Sequence, residues 1–165
     1  MLFHFSEDSS ISYQICGLDG GQFKHLFGKD PSVLAEYGVE RMTVDSRPGF
    51  PCRVSLQDVQ IGEDVLLLNY EHQPALSPYR SSHAIFVQEG ASQASIRKNE
   101  VPEMLRIRLL SVRGFDAAGM MMDADIVDGH QIEAMIDRMF STKSVSYLHV
   151  HNARRGCFVA RVERA

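Results

Sequence analysis

The sequence lacks the short motifs that would assign it to a common class of enzyme. Its 165 residues contain no GxGxxG fingerprint, no P-loop, no HExxH pair and no GxSxG turn. Such motifs hold phosphates, bind zinc or present a nucleophile. Their absence counts against nucleotide hydrolysis and the common hydrolase mechanisms.

Cysteine is scarce, and its spacing fits no known metal or redox motif. The chain has three cysteines, Cys16, Cys52 and Cys157, and no CxxC sequence, which excludes a zinc-ribbon or thioredoxin-type motif. The first residues, MLFHFSEDSS, show no basic segment followed by an apolar one, so no secretory signal is predicted. An odd number of cysteines without such a signal predicts reduced thiols and a cytoplasmic location.

Positive charge is also in deficit. The chain has 17 Lys and Arg against 21 Asp and Glu, a net charge of -4, whereas nucleic-acid binding needs a basic excess. No apolar run approaches the ~20 residues of a membrane span. We therefore predict neither a nucleic-acid nor a membrane partner. The length and a hydrophobic content of 44% are typical of a single globular domain.

Residue patterning predicts an α+β fold, with a mostly antiparallel curved sheet or partial barrel carrying two or three helices. Asp30-Pro31 begins one predicted helix, which ends before Gly38. Apolar residues at helical spacing predict another helix over 130–141. Short alternating segments predict strands, including one that begins with Arg53–Leu56 and a hairpin formed by residues 106–115 and 120–127.

The longest apolar run, Val65-Leu66-Leu67-Leu68, predicts the central strand of the sheet over 65–70. A continuous run of this kind is typical of a strand buried on both faces. Residues 83–88 are its predicted antiparallel neighbour, and 71–82 form a predicted loop of about a dozen residues. Loops of that length in compact domains are commonly functional, so we expect this one to be ordered and to form a site.

Four stretches of the chain carry a resemblance to a known family. They are GFPCRVSL (49–56), VLLLNYEHQP (65–74), SPYRSSHAIFV (77–87) and HVHNARRGCFVARVER (149–164). In these stretches the sequence resembles a family of small bacterial proteins classified as domain of unknown function 1203. The resemblance extends over nearly the whole chain. It implies no activity and no cofactor, so the cofactor stays unidentified.

A polar cluster follows the central strand and leads into its neighbour. Its candidate acid–base and nucleophilic groups are His72, His83, Glu71 and Cys52. Its candidate ligand-binding residues are Arg53, Asn69, Tyr70, Tyr79, Arg80 and Ser82. If the two strands pair, His72 and His83 come close, and Arg53 offers an anion contact. This pattern predicts a small enzyme or a binder of a compact polar or anionic molecule.

The same residues also fit an alternative in which they have no catalytic or ligand-binding role. Histidine and asparagine side chains can satisfy the backbone groups of a long ordered loop. The protein would then be a non-catalytic interaction module with structural histidines. A second copy of the same chain, in a homo-oligomer, is one partner compatible with that alternative.

A third hypothesis is a metal protein. His149 and His151 lie on the same side of a predicted strand, and the hairpin register that we expect pairs His151 with Cys157, and Val150 with Phe158. Imidazole and thiolate are ligands for zinc or iron. The signal is weak, because most His-x-His pairs bind nothing.

Three arginines and three aspartates complete the charged patterns. Cross-strand ion pairs on a sheet surface explain them without a metal site. The residues are Arg106, Arg108, Arg113, Asp123, Asp125 and Asp128.

Overall fold

The computed structural model describes residues 11–95 and 97–165, and its strands form two antiparallel sheets. The strands are β1 (Tyr13–Cys16), β2 (Glu40–Thr43), β3 (Asp64–Gln73), β4 (Ser81–Val87), β5 (Leu109–Phe115), β6 (Met121–Asp128), β7 (Tyr147–Asn152) and β8 (Phe158–Arg164). The large sheet has the order β1-β8-β7-β5-β6, and the small sheet has the order β2-β3-β4. The start of the chain, where no secretory signal is predicted, lies outside the described residues.

The helices are short and lie between the strands. They are α1 (Pro31–Glu36), α2 (Glu103–Arg106) and α3 (Ile132–Phe140), with 3₁₀ segments at Gly20–Leu26 and Gly129–Gln131. The predicted α+β class is confirmed. The strands form two sheets rather than one curved sheet, and neither sheet closes into a barrel within the described ranges.

The small sheet is built on the apolar run of β3. This strand pairs with β2 on one side and β4 on the other, as expected for a central strand. Val65 and Leu66 are both fully buried although they point to opposite faces, so apolar side chains cover the sheet on both sides here. They pack with Phe23, Leu34 and Ile85 in one hydrophobic core.

The large sheet buries one face beneath α3. Five apolar residues of this helix are buried against the sheet, namely Ile132, Met135, Ile136, Met139 and Phe140. The opposite face carries Tyr147 of β7 and Phe158 of β8, which contact the end of β3. The hydroxyl of Tyr147 lies 2.9 Å from Nε2 of Gln73, and the ring of Phe158 stacks on His72 at 5.2 Å between centroids. The two sheets therefore meet along this second face.

The hairpin of β7 and β8 has a different register from the predicted one. Val150 lies opposite Ala160 rather than Phe158, and His151 lies opposite Phe158 rather than Cys157. The register shifts between Val150 and His151, which leaves Val159 as an extra residue of β8. A bulge of this kind reorients the neighbouring side chain. It places Val159 in the core below α3 and Phe158 among the histidines on the other face.

Two local predictions around the central strand are wrong. Residues 53–56 form a turn instead of a strand, because the amide of Leu56 bonds to the carbonyl of Cys52 and Leu56 adopts a φ of 54°. The predicted loop 71–82 is shorter, since β3 continues to Gln73 and β4 begins at Ser81. His72 therefore lies in a strand, as His83 does, rather than in the predicted ordered loop.

Gly129 joins the large sheet to α3 at a point of close backbone approach. Its amide donates to the carbonyl of Arg108 at 2.8 Å, and a Cβ at this position would lie 1.9 Å from the carbonyl oxygen of Leu105. Backbone atoms cannot move aside as a flexible side chain can. Only glycine therefore fits between α2 and α3.

We expect Gly129→Ala to destabilise the protein by about 1–3 kcal/mol, the usual cost of overpacking, because the backbone it meets cannot move aside. Thermal denaturation followed by circular dichroism measures the change. The matched control is Gly20→Ala, whose added Cβ would meet its nearest atoms at an ordinary 3.4 Å. Equal melting temperatures for the two variants would contradict the packing described here.

Candidate metal centre

Four histidines from three strands converge between the two sheets. They are His72 of β3, His83 of β4, and His149 and His151 of β7. Nε2 of His72 lies 2.8 Å from Nδ1 of His83. The ring of His72 also lies 4.9 Å from that of His151 and 5.7 Å from that of His149, centroid to centroid.

The local backbone explains how His72 and His83 meet. Tyr70 pairs with His83, but the next aligned pair is Gln73 with Ser81, so β3 carries an extra residue between them. His72 lies within this irregularity, and its Nε2 lies 3.3 Å from the hydroxyl of Ser81. The strand pairing predicted from the sequence is therefore present, and it brings the two imidazoles into contact.

Three of the imidazoles have the arrangement of a metal site. The potential ligand atoms of His72, His83 and His151 all lie within 4.8 Å of one another. Of the predicted metal-binding pair His149 and His151, only His151 belongs to this group. Cys157, the third predicted ligand, is not part of it.

His151 is oriented by the backbone. Its Nδ1 lies 2.8 Å from the carbonyl oxygen of Gly156, and a carbonyl can only accept, so Nδ1 carries the proton. The neutral ring therefore keeps its lone pair on Nε2. That atom is buried and has no hydrogen-bond partner within the described residues. A backbone carbonyl that fixes the tautomer is the usual support of a metal-binding histidine.

Nδ1 of His72 and Nδ1 of His149 are also buried without a partner in the described part of the chain. The hydrogen bond between His72 and His83 does not involve His72 Nδ1, whichever ring donates. Buried polar atoms are nearly always satisfied in native proteins, and an exception points to a bound water or ion. The cluster thus holds three unpartnered imidazole nitrogens.

Burial keeps these histidines neutral. Desolvation lowers the pKa of His72 to about 4, with smaller contributions from His83 and Arg113. It likewise lowers the pKa of His149 to about 3 and that of His151 to about 2. The pKa of His83, the only partly exposed ring of the four, is also lowered, again mainly by desolvation. Neutral imidazole is the form that binds metals.

Arg113 lies beside the cluster, although the sequence predicts only a surface ion pair for it. It faces His149 across the β5–β7 pairing, and its charge contributes to the lowered pKa of all four histidines. Its side chain is half-buried, and its Nε lies 3.4 Å from the hydroxyl of Ser111. Strand alternation could have indicated its face, but the pairing of β5 with β7 has no signal in the sequence.

The predicted arginine–aspartate ion pairs are wrong. Arg113 lies opposite Ala124 on β6, while Arg108 pairs with Asp58 at 2.6 Å. The aspartates have other partners, since Arg138 of α3 pairs with Asp125 at 2.8 Å and lies near Asp123. The register of β5 and β6, which the sequence leaves open, places Ala124 rather than an aspartate opposite Arg113.

Several of the other predicted site residues form no hydrogen bond with the histidines within the described ranges. Asn69, Glu71 and Ser82 are exposed, and Glu71 forms a surface ion pair with Arg80 at 3.3 Å. Tyr79 is 38% exposed and packs edge-on against Phe115. Tyr70 is half-buried, with its ring 6.3 Å from that of Phe158. Their predicted roles stay predictions.

Cys52 and Arg53 lie beside β4. Cys52 forms an isolated parallel β-bridge with Phe86 of that strand. Arg53 is 1% exposed, and its guanidinium donates to the carbonyls of Phe158 and Pro51 at 2.8 and 2.6 Å and to Sγ of Cys157 at 3.1 Å. It borders a cleft of about 690 Å³ whose lining does not include the histidines. The geometry gives Arg53 a bridging contact between the two sheets, and its role as an anion contact stays a prediction.

The architecture and the clustered histidines define the class of protein. It is a two-sheet α+β protein with an imidazole cluster between its sheets. Residues 49–164 match the family described as protein of unknown function (DUF1203), and the chain belongs to that family. No curated protein and no solved structure gives a significant match. In the described part of the chain, no helix is both long and apolar enough to cross a lipid bilayer.

We expect Arg53→Met to destabilise the protein by about 3 kcal/mol, because it leaves two buried carbonyls without their charged donor. Urea denaturation measures the free energy of unfolding. Arg154→Met is the matched control, since Arg154 is exposed and lies at the same cleft. A loss at Arg53 no greater than at Arg154 would show that the buried guanidinium does not hold the sheets together.

We expect the metal-free protein to lose stability as the pH falls below about 6.5. An unfolded histidine takes up a proton near that pH, whereas the buried ones, with their lowered pKa, stay neutral. Each histidine whose pKa is lowered by burial reduces the free energy of unfolding by roughly 1.4 kcal/mol for each pH unit below 6.5. Melting temperatures between pH 7.5 and pH 5, measured in chelator, report the slope.

The variant His149→Leu should show a shallower pH slope, and the exposed His130→Gln should leave the slope unchanged. A melting temperature that stays constant or rises from pH 7.5 to pH 5 would mean that the histidines are not buried in neutral form.

Proposed function

We propose that this protein binds one divalent transition-metal ion of the zinc type through His72, His83 and His151. The observation that carries the proposal is the grouping of three imidazole nitrogens within 4.8 Å, drawn from both sheets. Imidazole is a preferred ligand of zinc and of neighbouring transition metals. The proposal revises the metal hypothesis from the sequence by joining one member of the His-x-His pair to the two histidines of the small sheet.

The distances need little adjustment to hold an ion. Zn–N bonds of about 2.0–2.1 Å in tetrahedral geometry place ligand nitrogens roughly 3.3 Å apart. The contact between His72 and His83 is 2.8 Å, so those rings would separate slightly, and the ring that donates would carry its proton on its other nitrogen instead. The other ligand-atom distances, which are at most 4.8 Å, would have to approach the same value.

Two features prepare the site for a cation. Gly156 fixes the tautomer of His151 and leaves its Nε2 lone pair unpartnered. Low pKa values keep His72 and His151 unprotonated at neutral pH, so a metal ion does not have to displace a proton from a charged ring.

Three protein ligands leave a tetrahedral ion with one open position. Structural zinc sites are normally closed by four protein ligands, whereas sites that act on a substrate keep one position for water or another small ligand. His83 is the partly exposed ligand, so we expect the open position to reach solvent on its side. We therefore infer that the centre takes up an external ligand, consistent with the small-molecule site predicted from the sequence.

The alternative is an interaction module in which the histidines are structural. One observation favours it, since the 2.8 Å contact lets His72 and His83 satisfy each other by a hydrogen bond. That bond does not satisfy Nε2 of His151. The two hypotheses differ in a measurable way, because only the first requires a stoichiometric ion.

Titration calorimetry of the chelator-treated protein with zinc tests the proposal. We expect about one ion per chain for the parent. His83→Asn should weaken binding by roughly 100-fold or more, because loss of a supporting hydrogen bond alone costs about 10–100-fold and loss of a ligand costs more. Zinc should also raise the melting temperature of the parent and not that of the variant.

His130→Asn is the matched control, since the side chain of His130 is exposed and its hydrogen bond within the described residues is to Asp128. It should bind zinc like the parent. His83 is the least buried ligand, so its replacement should preserve the fold, and circular dichroism checks this. Equal zinc affinity for the parent and His83→Asn, or less than a tenth of an equivalent in the parent, would overturn the proposal.

A further inference from the structure

The surroundings of the histidine cluster contain positive charge without a matching negative charge. Within the described ranges, no carboxylate forms a hydrogen bond or an ion pair with Arg113 or with any of the four clustered imidazoles. Arg161, the other arginine that faces His149, differs in this respect. It pairs with Glu163 at 2.9 Å and lies over the ring of Tyr147.

Among the described residues, Arg113 is therefore a cation of this face without an acidic partner. Its hydrogen bond to the Ser111 hydroxyl, at 3.4 Å, involves Nε and leaves both terminal nitrogens of the guanidinium without a partner among the described residues. Partial burial already disfavours its charge, as the lowered pKa of its guanidinium reflects. A partly buried guanidinium with free donors is a ready site for a planar or tetrahedral oxyanion.

A metal ion would increase the imbalance. Three neutral imidazoles leave the full charge of a divalent ion uncompensated, and the arginine adds another positive charge next to it. Isolated charges in a half-buried setting are costly unless they are paired. An external anion at the open metal position would neutralise part of this charge and would also occupy the donors of Arg113.

We infer that the centre binds a small oxyanion, a carboxylate or phosphate group, which the metal ion holds on one side and Arg113 on the other. The inference rests on the proposed metal site and names the class of ligand that the site takes. Arg113 would determine the specificity for anions without touching the metal itself. The partly exposed side at His83 and Arg113 is where such a group would enter.

Cobalt(II)-loaded protein gives a direct test, since the visible spectrum of cobalt changes when a ligand enters its coordination sphere. The probes are acetate and inorganic phosphate, added separately at constant ionic strength. We expect at least one of them to change the spectrum of the parent with saturation. Arg113→Gln should weaken that response by roughly tenfold or more, because it removes a charged donor.

Arg161→Gln is the matched control, because Arg161 flanks His149 from the opposite strand but already has an acidic partner. It should respond to the anions like the parent. Cobalt affinity, measured first, should be the same within about threefold in all three proteins, since neither arginine is a ligand. The probe that responds shows whether the ligand is of the carboxylate or the phosphate type.

The outcomes separate the two proposals. Cobalt binding with no response to either anion, or with equal responses in the parent and Arg113→Gln, would overturn the oxyanion inference and leave the metal site standing. Failure of the parent to bind cobalt would overturn both.

Discussion

The contact of the small sheet with the outer face of the large sheet is the constraint on which the candidate site depends. Phe158 stacks almost parallel to His72, at 5° between the ring planes, and packs edge-on against His149 and His151. This one aromatic ring holds together histidines that come from both sheets. The ring is available there because the bulge in β8 turns Phe158 away from the core below α3.

The same contact sets the electrostatics of the site. Packing between the sheets removes the imidazoles from water, and desolvation is the largest cause of the lowered pKa in each of them. Nearby arginine adds to the effect. Nε2 of His151 is buried without a partner among the described residues, and a bound cation would coordinate it.

Much of this fold can be predicted from the sequence, because local residue patterns determine its strands and helices. The apolar run of β3 identifies the central strand, and Asp30-Pro31 with Gly38 brackets α1 to within a residue. Strand alternation also places His149 and His151 on one face. Pairing of β3 with β4 follows from their adjacency in the chain, which is why the contact of His72 with His83 could be expected.

The remainder depends on features without a local signature. Bulges at Val159 and at His72 change the strand register by one residue, and no local residue pattern predicts them. The meeting of His151 with His72 and His83 requires the packing of two sheets whose mutual placement is a tertiary property. Arg113 is recognised only once β5 is known to pair with β7. Arg53, predicted as an anion contact, also donates to two backbone carbonyls and a thiol, and no local residue pattern indicates these contacts.

The most direct test of the metal centre is anomalous scattering at the zinc absorption edge from crystals of the protein grown with zinc. We predict one anomalous peak, about 2.0–2.1 Å from a ring nitrogen of each of His72, His83 and His151. A map with no peak there, with Nε2 of His72 and Nδ1 of His83 still hydrogen-bonded to each other, would contradict it.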